Sequence, residues 1–226
     1  MDLNETFNRK EKAVYAADLF SLCAIAPALI PAIAVVMAVS FADLKKNPIY
    51  KQTRIGKNGE KFTIYKIRTM RDLDTIDSSG RLKRKYNSKS ACTQARYDRR
   101  FRTSNVGIIL RKLKADELLQ AWNVVKGDMA MVGPRPRMEN DPINAKYPER
   151  LLIKPGITGD GKIIGNNDTI TLDREGEQDM DYLEMFKTSS IPFIYLHNAS
   201  TCAATLWSVM KGLRASHIHI QKPSVT

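Results

Sequence analysis

From Leu19 to Ala42 the chain reads LFSLCAIAPALIPAIAVVMAVSFA, twenty-four residues without a charge. At about 1.5 Å per residue a straight helix over this span would reach roughly 36 Å, enough to cross a hydrocarbon core of about 30 Å. Pro27 and Pro31 interrupt the run near its middle. Each removes a backbone donor and pushes against the carbonyl four residues earlier, so both act on one bent region. Arg9, Lys10 and Lys12 precede the run, and Lys45, Lys46, Lys51 and Arg54 follow it. Lys and Arg collect on cytoplasmic flanks, so positive residues on both sides fit a helix whose two ends stay on one face. The expectation is a proline-broken, re-entrant membrane hairpin over residues 13–42, inside an anchor of residues 1–47. The plainer alternative is a transmembrane helix. A cleaved signal peptide fits less well, because residues 1–12 mix three acidic with three basic side chains.

Asn47-Pro48 marks the end of the anchor, and residues 48–226 are read as a separate domain on the cytoplasmic face, the side that Lys- and Arg-rich flanks take. Ile49 to Met70 is strand material folded at Lys57-Asn58-Gly59, since Asn-Gly is a strong hairpin signal. Residues 71–105 form a polar stretch with Lys83-Arg84-Lys85 and Arg99-Arg100, read as a solvated loop able to lie on anionic lipid. The acidic run from Asp168 to Glu184 lacks the ligand order of a calcium loop and reads as solvated loop and helix start. About residues 191–213, bulky apolar residues including Phe193, Leu196, Leu206, Trp207 and Met210 describe an amphipathic helix, able to pack on the core or to lie in the interface.

The formal charge of +12 is concentrated in the middle: residues 43–154 carry 27 Lys and Arg against 12 Asp and Glu. Such a surface asks for an anionic partner: phosphorylated substrate, anionic lipid or nucleic acid. Cys23, Cys92 and Cys202 are few and far apart, which suits a reducing compartment. His197, His217 and His219 have no cysteines at zinc spacing and read as surface residues.

The densest chemistry lies in Arg111 to Pro136, RKLKADELLQAWNVVKGDMAMVGPRP. Asp116 and Glu117 open a segment whose Leu118, Leu119, Trp122 and Val125 recur at helical spacing, closed by Lys126-Gly127. At a helix N-terminus the dipole favours negative charge, so Asp116 is expected to stay ionised. A carboxylate pair there is also ordinary capping. Its neighbours suggest more: Arg111, Lys112, Lys114 and Arg137 lie close by, and Arg135 is held between Pro134 and Pro136, whose rings restrict the backbone. Carboxylates amid cations suit an anion-plus-metal site, since Mg²⁺ is usually held by one or two carboxylates plus substrate phosphates.

This stretch resembles the signature of the bacterial sugar transferases, the monotopic polyprenyl-phosphate phosphoglycosyl transferases of the small single-domain type. Two further blocks resemble the family: Gln52-Thr53-Arg54-Ile55-Gly56 with Gly59, Phe62 and Tyr65-Lys66-Ile67-Arg68-Thr69-Met70, and Lys154-Pro155-Gly156-Ile157-Thr158-Gly159. The resemblance implies an α+β monotopic enzyme: a re-entrant hairpin, a small α/β catalytic domain and peripheral amphipathic helices. It implies transfer of a phospho-sugar from a UDP-sugar to polyprenyl (undecaprenyl) phosphate, the first membrane step of polysaccharide assembly. It places the protein on the bacterial inner membrane, beside anionic lipids, with no nucleic-acid partner, and is compatible with a homodimer. By the same resemblance Asp116 is the nucleophile forming an aspartyl intermediate, Glu117 holds Mg²⁺, and Arg111 and Arg135 clamp phosphate. Pro134, Pro136, Arg68 and Lys154 complete the substrate-binding set. The chain departs from the family at Ile30-Pro31, where Ser-Pro is usual. It departs again after Gly159, where Asp160-Gly161-Lys162-Ile163-Ile164-Gly165-Asn166-Asn167 replaces Trp-Ala-Gln-Val-x-Gly-Arg-Asn. The rival reading is a non-enzymatic basic protein of the membrane surface, or a nucleic-acid binder over residues 43–154, which would show steep salt dependence.

Overall fold

In the computed structural model, residues 3–71, 103–161 and 172–216 are described. Helix α1 spans Leu3–Leu44 and runs without interruption through Pro27 and Pro31, beginning ten residues before the expected residue 13. The earlier start has a packing cause. Lys10, Val14, Asp18 and Leu22 recur every four residues on one stripe and are all buried. That stripe is tied to the rest of the chain: Lys10 Nζ donates to the Phe186 carbonyl at 3.3 Å and the Met131 N–H donates to Asp18 Oδ2 at 2.9 Å. The uncharged half is the opposite, with Phe20, Ile30 and Val35 exposed. α1 is long and apolar enough to cross a membrane. Its far end returns to the protein, where Ser40 Oγ donates to the Arg68 carbonyl and Ser104 Oγ to Asp43.

Strands β1, Ile49–Ile55, and β2, Lys61–Ile67, form an antiparallel hairpin in the register Ile49↔Ile67 to Ile55↔Lys61. The turn expected at Lys57-Asn58-Gly59 is present as one 3-10 turn, with Asn58 at φ 55° and Gly59 at φ 79°. Asn and Gly are the residues that enter this left-handed region most readily. Helix α2, Asn105–Lys112, is capped by Ser104 Oγ, which accepts the Gly107 N–H at 2.9 Å. A 3-10 turn, Ala115–Glu117, leads into α3, Gln120–Val125. Strand β3, Ala130–Val132, pairs in parallel with β4, Gly156–Thr158, and between them lie α4, Pro142–Lys146, and a 3-10 turn, Pro148–Leu152. Helices α5, Leu172–Thr188, and α6, Ile191–Ser216, close the described chain.

Two apolar clusters share the interior. Val14, Val132, Ile153, Tyr182, Leu183, Phe186 and Ile194 form one; Leu22, Ile64, Val124 and Met129 form the other. α1 contributes to both. The α+β architecture with a long apolar N-terminal helix and a small sheet domain is therefore as expected.

Tertiary packing settles three faces that the residue order left open or that read as solvated. In α3 the apolar residues Trp122 and Val125 are exposed, while Gln120, Asn123 and Val124 face inward. Asn123 supplies the reason: its side chain takes the Tyr65 N–H and donates to the Thr63 carbonyl, continuing β2 with an amide. The helix start expected in the acidic run is present from Leu172, but one face of it is buried instead of solvated. Glu175 and Asp179 lie one turn apart on its inner face, meeting Arg137 and Arg150. His197 is half-buried, with Nε2 2.9 Å from Asp160 Oδ2 and its ring against Tyr182. α6 buries Ile194, Asn198 and Thr201 but exposes Phe193, Leu196, Leu206, Trp207 and Met210, so most of its bulky face is unpaired with protein. The basic clusters within residues 72–102, together with Lys162, His217 and His219, lie outside the described residues.

Candidate active site

The 3-10 turn Ala115–Glu117 sets the centre. It follows Lys114, whose φ of 53° puts it in the left-handed region, an uncommon state for a side-chain-bearing residue. That reversal turns the chain between α2 and α3 and folds Asp116 inward, where it is 8% exposed. The expected helix dipole is weak here, because the turn is short and α3 begins only at Gln120. Asp116 is correspondingly not held in the ionised state by a helix terminus. Burial pushes its carboxyl above the ordinary range and the neighbouring Glu117 adds to this, while Lys66 and Arg111 pull it back.

Glu117 pairs with Lys66 Nζ at 3.1 Å. β2 thereby delivers a cation to the acidic pair, a role for Lys66 that only the folded hairpin reveals. Arg111 sits in the last turn of α2, and its Nη1 is buried without a hydrogen-bond partner. The same holds for Lys114 Nζ and Arg54 Nε. Burial lowers the pKa of both; beyond that Glu117 opposes the shift at Lys114, and Arg135 adds to it at each. Lys66 and Arg111 act on Asp116, Lys114 faces both carboxylates, and Arg135 stands beside Lys114 and Arg54, so cations from two of the three sequence blocks gather here. Leaving buried cationic atoms without partners is costly, and a phosphate group would relieve it.

The Gly133-Pro134-Arg135-Pro136 corner is built by contact between two of those blocks. The Gly156 N–H donates to the Pro134 carbonyl at 2.9 Å, and the Gly133 N–H to the Thr158 carbonyl at 2.9 Å. A Cβ on Gly133 would stand 2.5 Å from the Lys154 carbonyl, so the approach requires glycine. Pro134 and Pro136 are buried and Arg135 between them is exposed. Beneath it lies a residue the sequence reading passed over. Arg150, 2% exposed, donates from Nη2 to the Arg135 carbonyl at 2.7 Å, from Nε to Asp179 at 2.9 Å and from Nη1 to Asn144 at 2.9 Å.

Two expected substrate contacts lie elsewhere. Arg68 Nε donates to the Asn47 carbonyl at 2.9 Å and its guanidinium lies over Tyr50, at the junction of α1 and β1. Lys154 Nζ sits 4.4 Å from the centre of the Tyr15 ring, against α1. Both are used to seat the anchor helix on the domain. Among the described residues no group of three or more His, Cys, Asp or Glu could hold a metal. Asp116 and Glu117 are a donor set of two, which suits Mg²⁺ that takes its remaining ligands from substrate phosphates and water.

Comparison with known proteins places these features in context. A family model described as "Bacterial sugar transferase" matches residues 10–211. The uncharacterized sugar transferase EpsL of Bacillus subtilis (strain 168) is 36% identical over 170 residues, 74% of this chain and 74% of that protein. The UDP-N-acetylgalactosamine-undecaprenyl-phosphate N-acetylgalactosaminephosphotransferase of Aeromonas hydrophila is 34% identical over 51% of this chain. The undecaprenyl-phosphate galactose phosphotransferase of Salmonella typhimurium is 33% identical over 53% of it. The matched regions make up 25% and 26% of those two longer proteins.

Proposed function

The chain belongs to the bacterial sugar transferase family, and from that premise we propose that it moves a phospho-sugar from a UDP-sugar to a polyprenyl phosphate through an aspartyl intermediate. One observation carries the reading: a buried Asp116 and half-buried Glu117 flanked by Lys66, Arg111 and Lys114, the last two holding buried nitrogens without partners. Asp116 attacks the sugar-bearing phosphorus, forming an acyl phosphate and expelling UMP, and so splits one difficult transfer into two easier ones. Its raised pKa keeps it a stronger base than an ordinary carboxylate once the proton is lost. Arg111 and Arg135 hold phosphate oxygens, with Arg135 presented outward by its buried prolines and by Arg150. Glu117 would hold Mg²⁺, which supplies charge screening on the diphosphate. Lys66 orients Glu117. The acceptor phosphate then attacks the same phosphorus and frees Asp116.

The acceptor's chain stays in the bilayer, so the site belongs at the headgroup plane. The two ends of α1 support re-entrance on the cytoplasmic face. Asp18 is bound to Met131 and Ser40 to Arg68, both within one folded unit, whereas a crossing helix would carry Ser40 to the opposite side of the membrane. Exposed apolar residues on α1, α3 and α6 fit the same placement.

The test uses detergent-solubilised protein, polyprenyl phosphate, Mg²⁺ and a panel of UDP-sugars. UMP release that is lost in Asp116→Asn, and a phospho-sugar mass on Asp116 with donor alone, are expected. A folded protein releasing no UMP from any donor would refute the function, and an unchanged mass would refute the covalent step. Glu5→Cys and Tyr50→Cys, each in a background without the native cysteines, are expected to label from the same side of the membrane; opposite sides would exclude re-entrance.

A further inference from the structure

Between α1, the active-site turn and α6 lies a cavity of about 310 Å³, at the lower end of the range for ligand sites. Leu22 and Leu29 from α1, Leu118 beside the acidic pair, Ile157, and Leu206 and Val209 from α6 give it an apolar lining. Its polar groups are nearly all accounted for. Glu117 is paired with Lys66, and the hydroxyls of Thr158 and Thr205 meet each other at 2.6 Å. Lys114 is the exception: it lines the same cavity, and its Nζ is closed off from solvent without a hydrogen-bond partner. At the other side the cavity continues into exposed apolar surface, where Ile25 and Leu206 stand beside Phe20, Ile30, Trp207 and Met210 on the same two helices.

A greasy groove that opens on apolar surface and ends at an unsatisfied ammonium selects an amphiphile: an apolar chain with an anionic head. At about 30 Å³ per heavy atom, the share taken by a molecule in liquid water, the cavity takes roughly ten carbons, two isoprene units of a single chain. We propose that this groove receives the isoprene units nearest the phosphate of the polyprenyl acceptor, and that Lys114 Nζ holds that phosphate beside Asp116. The inference rests on the transferase reading given above and assigns its acceptor site. The left-handed backbone at Lys114 is explained in the same way, because it aims the side chain into the groove's lining instead of along α2.

The test is photo-crosslinking in lipid nanodiscs of phosphatidylcholine and phosphatidylglycerol that contain trace ³²P-undecaprenyl phosphate. p-Benzoylphenylalanine is placed at Leu206, in the groove, or at Leu196, which is exposed on α6 outside it. Labelling is expected at position 206 and not at 196. Excess unlabelled polyprenyl phosphate should displace it and phosphatidic acid should not. Lys114→Met should reduce it about tenfold, and Lys114→Arg should restore most of it. Equal labelling at both positions, displacement by phosphatidic acid, or full labelling in Lys114→Met would each overturn the proposal. UMP release from the same preparations separates the two claims. Transfer without selective labelling defeats only the groove; selective labelling without transfer defeats only the transferase reading.

Discussion

Two ionic clusters meet at Arg135, and they are built to opposite specifications. Beneath its backbone, every donor group of Arg150 is taken, by Asp179, Asn144 and the Arg135 carbonyl, and Arg137 is held by Glu175 and Asp141. Arg54 and Lys114 beside its side chain, and Arg111 beside Asp116, each keep a buried nitrogen without a partner. Arg150 is the more deeply buried, but the chemical difference between the clusters is satisfaction. A closed network stiffens a scaffold, whereas an open one is stable only if a ligand completes it. The contrast marks which charges support the corner and which await phosphate.

The sharpest break in this comparison is Asp116→Asn. Loss of the nucleophile is expected to reduce UMP release by about 10⁴-fold or more, roughly 5 kcal/mol in barrier. Its stability should move the other way. The folded carboxyl has a raised pKa, so the folded state binds its proton more tightly than the unfolded chain, and the native aspartate is destabilising once pH exceeds the unfolded value. Asp116→Asn should therefore melt at or above the wild-type temperature at neutral pH, an advantage that disappears on acidification. An unchanged difference across that range would show that the carboxyl is not buried as described.

On the closed side, Arg150→Met leaves Asp179 buried and unpaired, and about 3–5 kcal/mol of stability should be lost in denaturant titration. Arg150→Met with Asp179→Leu should recover much of it. If the single variant melts normally, the network is not a scaffold. On the open side, Arg135→Met is expected to reduce kcat/KM about 10²-fold with little change in melting temperature, since its side chain is exposed and its backbone remains held. The smallest effect is a pH shift. Glu117 raises the Asp116 pKa, so Glu117→Gln should move the acid limb of the donor half-reaction, followed as UMP burst against pH, toward lower pH. A shift toward higher pH would mean that Glu117 acts on Asp116 through something other than its charge.

Much of this was legible in the residue order, and the misses share a cause. The Asn58-Gly59 turn, the stop at Gly127 and the apolar helix each rest on local rules of backbone and period, and each stands in the fold. The helix in the acidic run was legible but its buried face was not, because a helix face buries charge only when counter-charges arrive from elsewhere, here Arg137 and Arg150. The inward face of α3 could not be read from apolar spacing, because Asn123 outranks Trp122 as a core residue once its amide completes the edge of β2. Arg68 and Lys154 carry the charge that phosphate recognition needs, yet the anchor helix and its junction claim them. None of these has a signal within a few residues along the chain.

What the sequence determined by itself was the inventory: a long uncharged helical run containing two prolines, an adjacent carboxylate pair, and a rigid arginine corner, because those follow from composition, period and the fixed geometry of proline and glycine. What the tertiary structure decided was which charges are satisfied and which are not. Hydrogen-bond partners for a buried cation come from segments tens of residues away, Lys66 to Glu117 or Arg150 to Asp179, and that pairing exists only once packing has brought them together.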